Sequence, residues 1–255
     1  YVKLGNTGME VSKLCLGCMG FGEPERGREK WSIGEAESRE VIKKALDSGI
    51  NFFDTANLYS AGSSEEIVGK ALKDFANRDE IVLASKLYFP MFDGPNAKGL
   101  SRKSIFAEID HSLKRLQTDY LDLYIIHRWD YGTPIEETME ALHDLVKMGK
   151  VRYIGASSMH AWQFAKAQFI AEKNGWTKFV SMQNLYNLLY REEEREMIPL
   201  LQDQNVAMTP WSPLAGGRLT RDIGAITARA SQAVEANLPA HIVASDNEII
   251  SRVHK

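Results

Sequence analysis

Apolar residues recur along this chain in two alternating rhythms. Short runs with strand character occur at Leu14–Met19, Asn51–Ala56, Ile81–Lys86, Leu121–His127, Tyr153–Ser157, Phe179–Asn184 and Ala207–Trp211. Between them the period lengthens and predicts helices over Glu35–Ser48, Ser64–Phe75, Arg102–Leu116, Ile135–Met148, His160–Lys173 and Arg191–Gln204. The third of these shows the helical period plainly, with Ile105, Ile109, Leu113 and Leu116 on one face. Ser63 or Ser64 is placed to cap the second helix. Ahead of the first strand, Tyr1–Leu4 and Met9–Lys13 flank a GNTG turn and predict a short β-hairpin.

Alternating strands and helices imply parallel strands joined by right-handed helical crossovers. Runs such as VLAS and LYII are apolar on both faces, as in strands covered by helices. An open doubly wound sheet and a (β/α)8 TIM barrel both fit this α/β pattern. A nucleotide-binding doubly wound sheet usually carries G-x-G-x-x-G after its first strand, and GCMGFG does not match it. Polar residues stand at the ends of successive strands, where barrel active sites are assembled, so the barrel is favoured, with the hairpin capping its lower end. Residues 1–255 then form a single barrel domain. Ser245-Asp-Asn-Glu248 resembles a capping box, followed by Ile249, Ile250 and Val253 at helical spacing. An eighth β/α unit is not legible, and the chain is expected to continue beyond Lys255.

Composition narrows the partners. At 44% apolar residues a large core can be buried, and a net charge of −3 leaves no basic footprint for nucleic acid or an anionic membrane. No apolar run approaches the roughly 18 residues of a membrane span, and no signal peptide pattern opens the chain, so a cytoplasmic protein acting on a small molecule is expected. Cys15 and Cys18 form a C-x-x-C, but within a strand their odd separation points them to opposite faces, so two core thiols are expected rather than a redox pair. The histidines show no H-x3-H or H-E-x-x-H spacing, and no metal site is expected.

Asp54, Lys86 and His127 end three consecutive strands, and Tyr59 follows Asp54 on its loop. Neighbouring barrel strands lie about 4.8 Å apart, so these side chains can converge. A lysine beside a phenol favours the phenolate and is expected to lower the Tyr59 pKa, while a carboxylate keeps that lysine charged. Such a phenol is a usable proton donor near neutral pH.

The run DTANLYSAGSSEEIVG, with Lys86 closing IVLASK and His127 closing LDLYIIH, resembles the aldo-keto reductase superfamily. KVRYIGASS, SMQNLYN and WSPL follow in the matching order, so the resemblance runs from the hairpin to about Arg221. It implies a (β/α)8 barrel that reduces a carbonyl with NADPH, NADH being left open. Asp54, Tyr59, Lys86 and His127 would be the catalytic tetrad: Tyr59 protonates the carbonyl oxygen, Lys86 held by Asp54 tunes it, and His127 orients the carbonyl or shares the proton. Ser157, Ser158 and Gln183 would hold the carboxamide and Trp211 would stack on the nicotinamide, while Ser212, Leu214, Gly216 and Arg218 would follow the pyrophosphate. The same resemblance places the eighth strand and the loop holding the adenosine 2′-phosphate beyond residue 255.

Substrate choice is expected in the loops Phe21–Gly34 and Leu87–Gly99. Trp31, Tyr88 and Phe89, with Trp129 after His127, are candidates for an apolar wall suited to a hydrophobic or aromatic carbonyl compound. Two other readings are weighed: a cofactor-binding regulatory subunit resembling ion-channel β subunits, and a Schiff-base aldolase with Lys86 as nucleophile. The complete tetrad favours the reductase over the first. A lysine held charged by Asp54 disfavours the second.

Overall fold

The computed structural model describes residues 1–225 and 240–254, and 226–239 lies outside the described residues. β1 (Val2–Lys3) and β2 (Glu10–Val11) pair antiparallel as the expected hairpin. β3 (Cys15–Gly17), β4 (Phe52–Asp54), β5 (Val82–Leu87), β6 (Leu121–Ile126), β7 (Val151–Ser157), β8 (Phe179–Gln183) and β9 (Ala207–Met208) then form one parallel sheet in chain order. Helices α1 (Glu35–Asp47), α2 (Ser63–Phe75), α3 (Arg102–Leu116), α4 (Ile135–Lys147), α5 (Ala161–Asn174) and α6 (Met197–Asp203) connect successive strands, and α7 (Ala240–Val253) follows β9.

One contact shows that the sheet curls. At the end of β8, Gln183 donates from Nε2 to Asp54 Oδ1 at the end of β4, at 3.2 Å. Four strand spacings of about 4.8 Å would hold those ends about 19 Å apart in a flat sheet. The architecture is therefore that of a (β/α)8 barrel one unit short, with β3 and β9 as its edges among the described residues.

Alternation along the strands sorts side chains into two cores. Phe53, Leu83, Tyr124 and Ile154 face outward and pack with helix residues such as Val68 of α2, Ile105 and Ile109 of α3 and Leu142 of α4. Phe52, Val82, Ala84, Leu123 and Ile125 point inward and meet Leu4 and Val11 of the hairpin, which closes the lower end of the barrel. Gly155 sits where β7 and β8 shift register: a Cβ there would collide with Ser181 Oγ and press on Ile125 and Leu123.

Several expected boundaries move for identifiable reasons. The sixth helix breaks into a short 3₁₀ turn, Glu192–Glu194, and the seven-residue α6, because Pro199 lacks an N–H and is tolerated only in a first turn. β9 ends at Met208 because Pro210 cannot donate; Thr209 and Trp211 still bond to the carbonyls of Met182 and Asn184. Neither Ser63 nor Ser64 caps α2, whose N-cap is Gly62. Their hydroxyls instead donate to the carbonyls of Ser60 and Cys18, tying the helix to the loops around it. Ser245–Glu248 lies inside α7 rather than at its start. Cys18 is a buried core thiol as expected, but Cys15 is exposed, because β3 is an edge with no strand on its other side among the described residues.

Candidate active site

Inward-facing positions at the C-terminal ends of the strands carry polar side chains in place of the apolar core below. Lys86 of β5 is fully buried, and its Nζ donates to Asp54 Oδ2 at 2.5 Å, to the Thr55 carbonyl at 2.8 Å and to Tyr59 Oη at 3.1 Å. Three oxygen acceptors use all three ammonium hydrogens, so its position is determined. Asp54 is held from its other oxygen by Gln183. The Tyr59 ring meets the His127 ring edge-on with centroids 5.9 Å apart, and Phe89 closes on His127 at 5.0 Å.

Tyr59 reaches this place through a strained turn. Ser60 and Ala61 hold φ of 45° and 49°, and Gly62 follows at 89°. Non-glycine residues enter this region at a cost of order 1–3 kcal/mol. The loop before α1 clamps the turn: Gly22 and Gly27 lie so close to Ser60 that a Cβ on either would collide with it.

Burial and charge set the protonation states. Burial alone would push Lys86 toward its neutral form, but Asp54, and then Tyr59, outweigh it and hold the ammonium above the ordinary lysine value. Burial raises the Tyr59 pKa more than Lys86 lowers it, so the phenol lies above its ordinary value. The expected net lowering is thus corrected, because the site is dry enough for desolvation to dominate. Burial, then the charges of Lys86 and Arg128, lowers His127 to about 2, leaving a neutral imidazole whose buried Nδ1 has no hydrogen-bond partner among the described residues. The cluster therefore combines a loaded proton donor, a fixed cation that stabilises the phenolate left behind, and a neutral ring with polar capacity to spare.

Beside it opens a cavity of about 450 Å³ bordered by Tyr88, Arg128, Trp129, Ser158, Asn184 and Trp211, among others. Of the expected wall residues, Tyr88 and Trp129 line it, Phe89 packs against His127, and Trp31 lies against Gly20. Trp211 is partly exposed there, with its indole N–H donating to Ser158 Oγ at 3.2 Å. Ser157 Oγ donates to the Gln183 carbonyl at 2.6 Å.

The loop after Trp211 is shaped by its backbone. The Ser212 carbonyl accepts from Asn187 at 3.0 Å, Leu214 is exposed, and Gly216 turns at φ 64°. Arg218 forms a largely buried ion pair with Asp246 of α7 at 2.8 Å.

Two residues stand in the site without having been assigned a role from the sequence. Asn184 accepts from the Ser158 N–H at 2.7 Å and donates to Glu193 at 2.7 Å; its place beside Gln183 at a strand end was the available signal. Arg128 was readable only as the neighbour of His127.

The Aldo/keto reductase family matches residues 13–248. The chain belongs to that family. Similar proteins include one of Schizosaccharomyces pombe named as an aryl-alcohol dehydrogenase, 50% identical over 248 residues that cover 88% of this chain and 70% of that one. Versiconal hemiacetal acetate reductase of Aspergillus parasiticus is 49% identical over 239 residues, 87% of this chain and 69% of its own. An aldo-keto reductase of Alternaria alternata is 46% identical over 281 residues, covering 100% of this chain and 76% of its own.

A nicotinamide dinucleotide fits the residues this aldo/keto reductase presents. Trp211 offers a flat face pinned by Ser158, and Ser158 and Asn184 supply polar groups at the same cavity wall, suited to a planar ring bearing an amide. Among the described residues no helix is long and apolar enough to cross a membrane.

Proposed function

We propose that this aldo/keto reductase reduces an aldehyde or ketone to an alcohol using NADPH or NADH, with Tyr59 as general acid. The observation that carries the reading is the Lys86 ammonium, buried and held by Asp54, in contact with the Tyr59 hydroxyl at 3.1 Å. When bound, the reduced nicotinamide supplies a hydride from its C4, which becomes the new C–H bond of the alcohol. Tyr59 gives its proton to the carbonyl oxygen as charge develops there. Lys86 then stabilises the phenolate, in a site where burial strengthens the attraction. His127, neutral at working pH, orients the carbonyl oxygen by hydrogen bonding and does not act as an acid in its charged form. Trp211, Ser157, Ser158 and Gln183 are assigned to the nicotinamide end, with Ser212, Leu214 and Gly216 toward the pyrophosphate. The cavity's aromatic lining, and a relative whose name includes aryl-alcohol, support a hydrophobic or aromatic substrate.

Tyr59→Phe tests the assignment. It is expected to lower carbonyl reduction by about 10²–10⁴-fold, the usual range for a general acid, while nicotinamide fluorescence shows nearly unchanged cofactor binding. Unchanged turnover would remove Tyr59 from the proposed role.

A further inference from the structure

Arg128 follows His127 in sequence and borders the cavity with Tyr88, Trp129 and Trp211. Its Nη1 donates to the His127 carbonyl at 2.7 Å, and its guanidinium stands 5.4 Å from the centre of the Phe89 ring. One N–H is used, and the rest of the fork remains available for an acceptor.

No carboxylate forms an ion pair with Arg128 among the described residues. Asp130, two positions on, is committed to the N–H groups of Leu100 and Gly132 and to the Thr133 hydroxyl, at 2.7, 2.9 and 2.8 Å. Glu193, the carboxylate that shares the cavity lining, accepts from Asn184 instead. Burial accordingly pulls the Arg128 pKa below its ordinary value, opposed by the phenols of Tyr59 and Tyr88. A half-buried cation with no counter-ion among the described residues, at a cavity walled by Tyr88, Trp129 and Trp211 and next to His127 in the chain, is a site awaiting an anion. A carboxylate matches the guanidinium fork and can accept two parallel hydrogen bonds from it.

We propose that Arg128 is a specificity residue that binds a carboxylate carried on an aromatic carbonyl substrate. This rests on the reductase reading above. A cavity of about 450 Å³ is ample for a single substituted ring.

The test compares 4-carboxybenzaldehyde with 4-methylbenzaldehyde as substrates of the full-length protein, its Arg128→Met variant and its Arg128→Lys variant. The ratio of their kcat/KM values is read within each protein, so any general loss of activity cancels. The charged aldehyde is expected to be preferred, and the preference to fall by about 10–100-fold in Arg128→Met, as for loss of a charged hydrogen bond. Arg128→Lys should restore part of it. An unchanged ratio overturns the proposal, as does weakened NADPH binding with the ratio intact, which would give Arg128 to a cofactor phosphate.

A second measurement separates this proposal from the reductase reading. Calorimetric binding of benzoate and benzamide needs no turnover: benzoate should bind more tightly, with the difference lost in Arg128→Met. If neither aldehyde is reduced but that difference appears, the reductase reading fails and the anion site stands. If benzoate and benzamide bind alike, the anion site fails.

Discussion

Breaking the Lys86–Asp54 pair from one side should cost far more than removing it from both. At 2.5 Å, with Lys86 fully buried and the Asp54 side chain 10% exposed, the attraction is about 6–7 kcal/mol at an effective dielectric near 20. Desolvation of the two ions cancels much of that, so the net value of the pair is small. The single variants differ in kind. Asp54→Asn leaves a buried ammonium without its counter-charge, and Lys86→Met leaves a buried carboxylate with only Gln183; each should cost about 3–5 kcal/mol. The double variant strands neither charge, and its loss should be smaller than that of either single. Urea unfolding of all four proteins measures this cycle. Additive losses would refute the argument that the pair acts as a unit. Asp54→Asn has a further expected effect, because Asp54 is the principal group raising the Lys86 pKa against burial. Without it Lys86 should titrate well below its ordinary range, and wild-type and variant pH profiles should diverge there.

Two other perturbations probe the same fold. His127 has a folded pKa of about 2 against roughly 6.5 when unfolded, so the unfolded chain takes up a proton that the folded one refuses. Its contribution is complete above about pH 6.5 and is lost as pH falls, by about 1.4 kcal/mol per unit. The stability gap between wild type and His127→Gln should therefore narrow from pH 7 to pH 5, and a constant gap would contradict the assignment. Gly155→Ala should lose about 1–3 kcal/mol to overpacking. Because the clash is with Ser181 Oγ, a buried hydroxyl with no partner among the described residues, the loss should shrink when residue 181 is alanine and would be misassigned if it did not.

The strand and helix pattern was legible because burial has a period of two in a strand and 3.6 in a helix, whatever the chain does elsewhere. Prolines moved two boundaries that apolar periodicity alone placed too generously: Pro199 shortened α6 and Pro210 ended β9. Ser63 and Ser64 look like caps in sequence, yet the loop and strand ends packed against α2 took their hydroxyls first.

By itself the sequence determined the alternation of elements, the inward positions of Asp54, Lys86 and His127 at successive strand ends, and the family to which the motifs belong. Tertiary structure decided what those groups are like. The balance that leaves Tyr59 above its ordinary pKa depends on how dry the site is, and the exposure of Cys15 depends on which strand lies beside β3. Among the described residues Arg218 has a carboxylate partner and Arg128 only the His127 carbonyl, because of what the folded chain brings near each of them. Asp54 and Gln183 are 129 positions apart and yet hydrogen-bonded. Local pattern follows from backbone geometry, residue by residue. Desolvation and charge depend on distances through space, which only the curl of the folded sheet supplies.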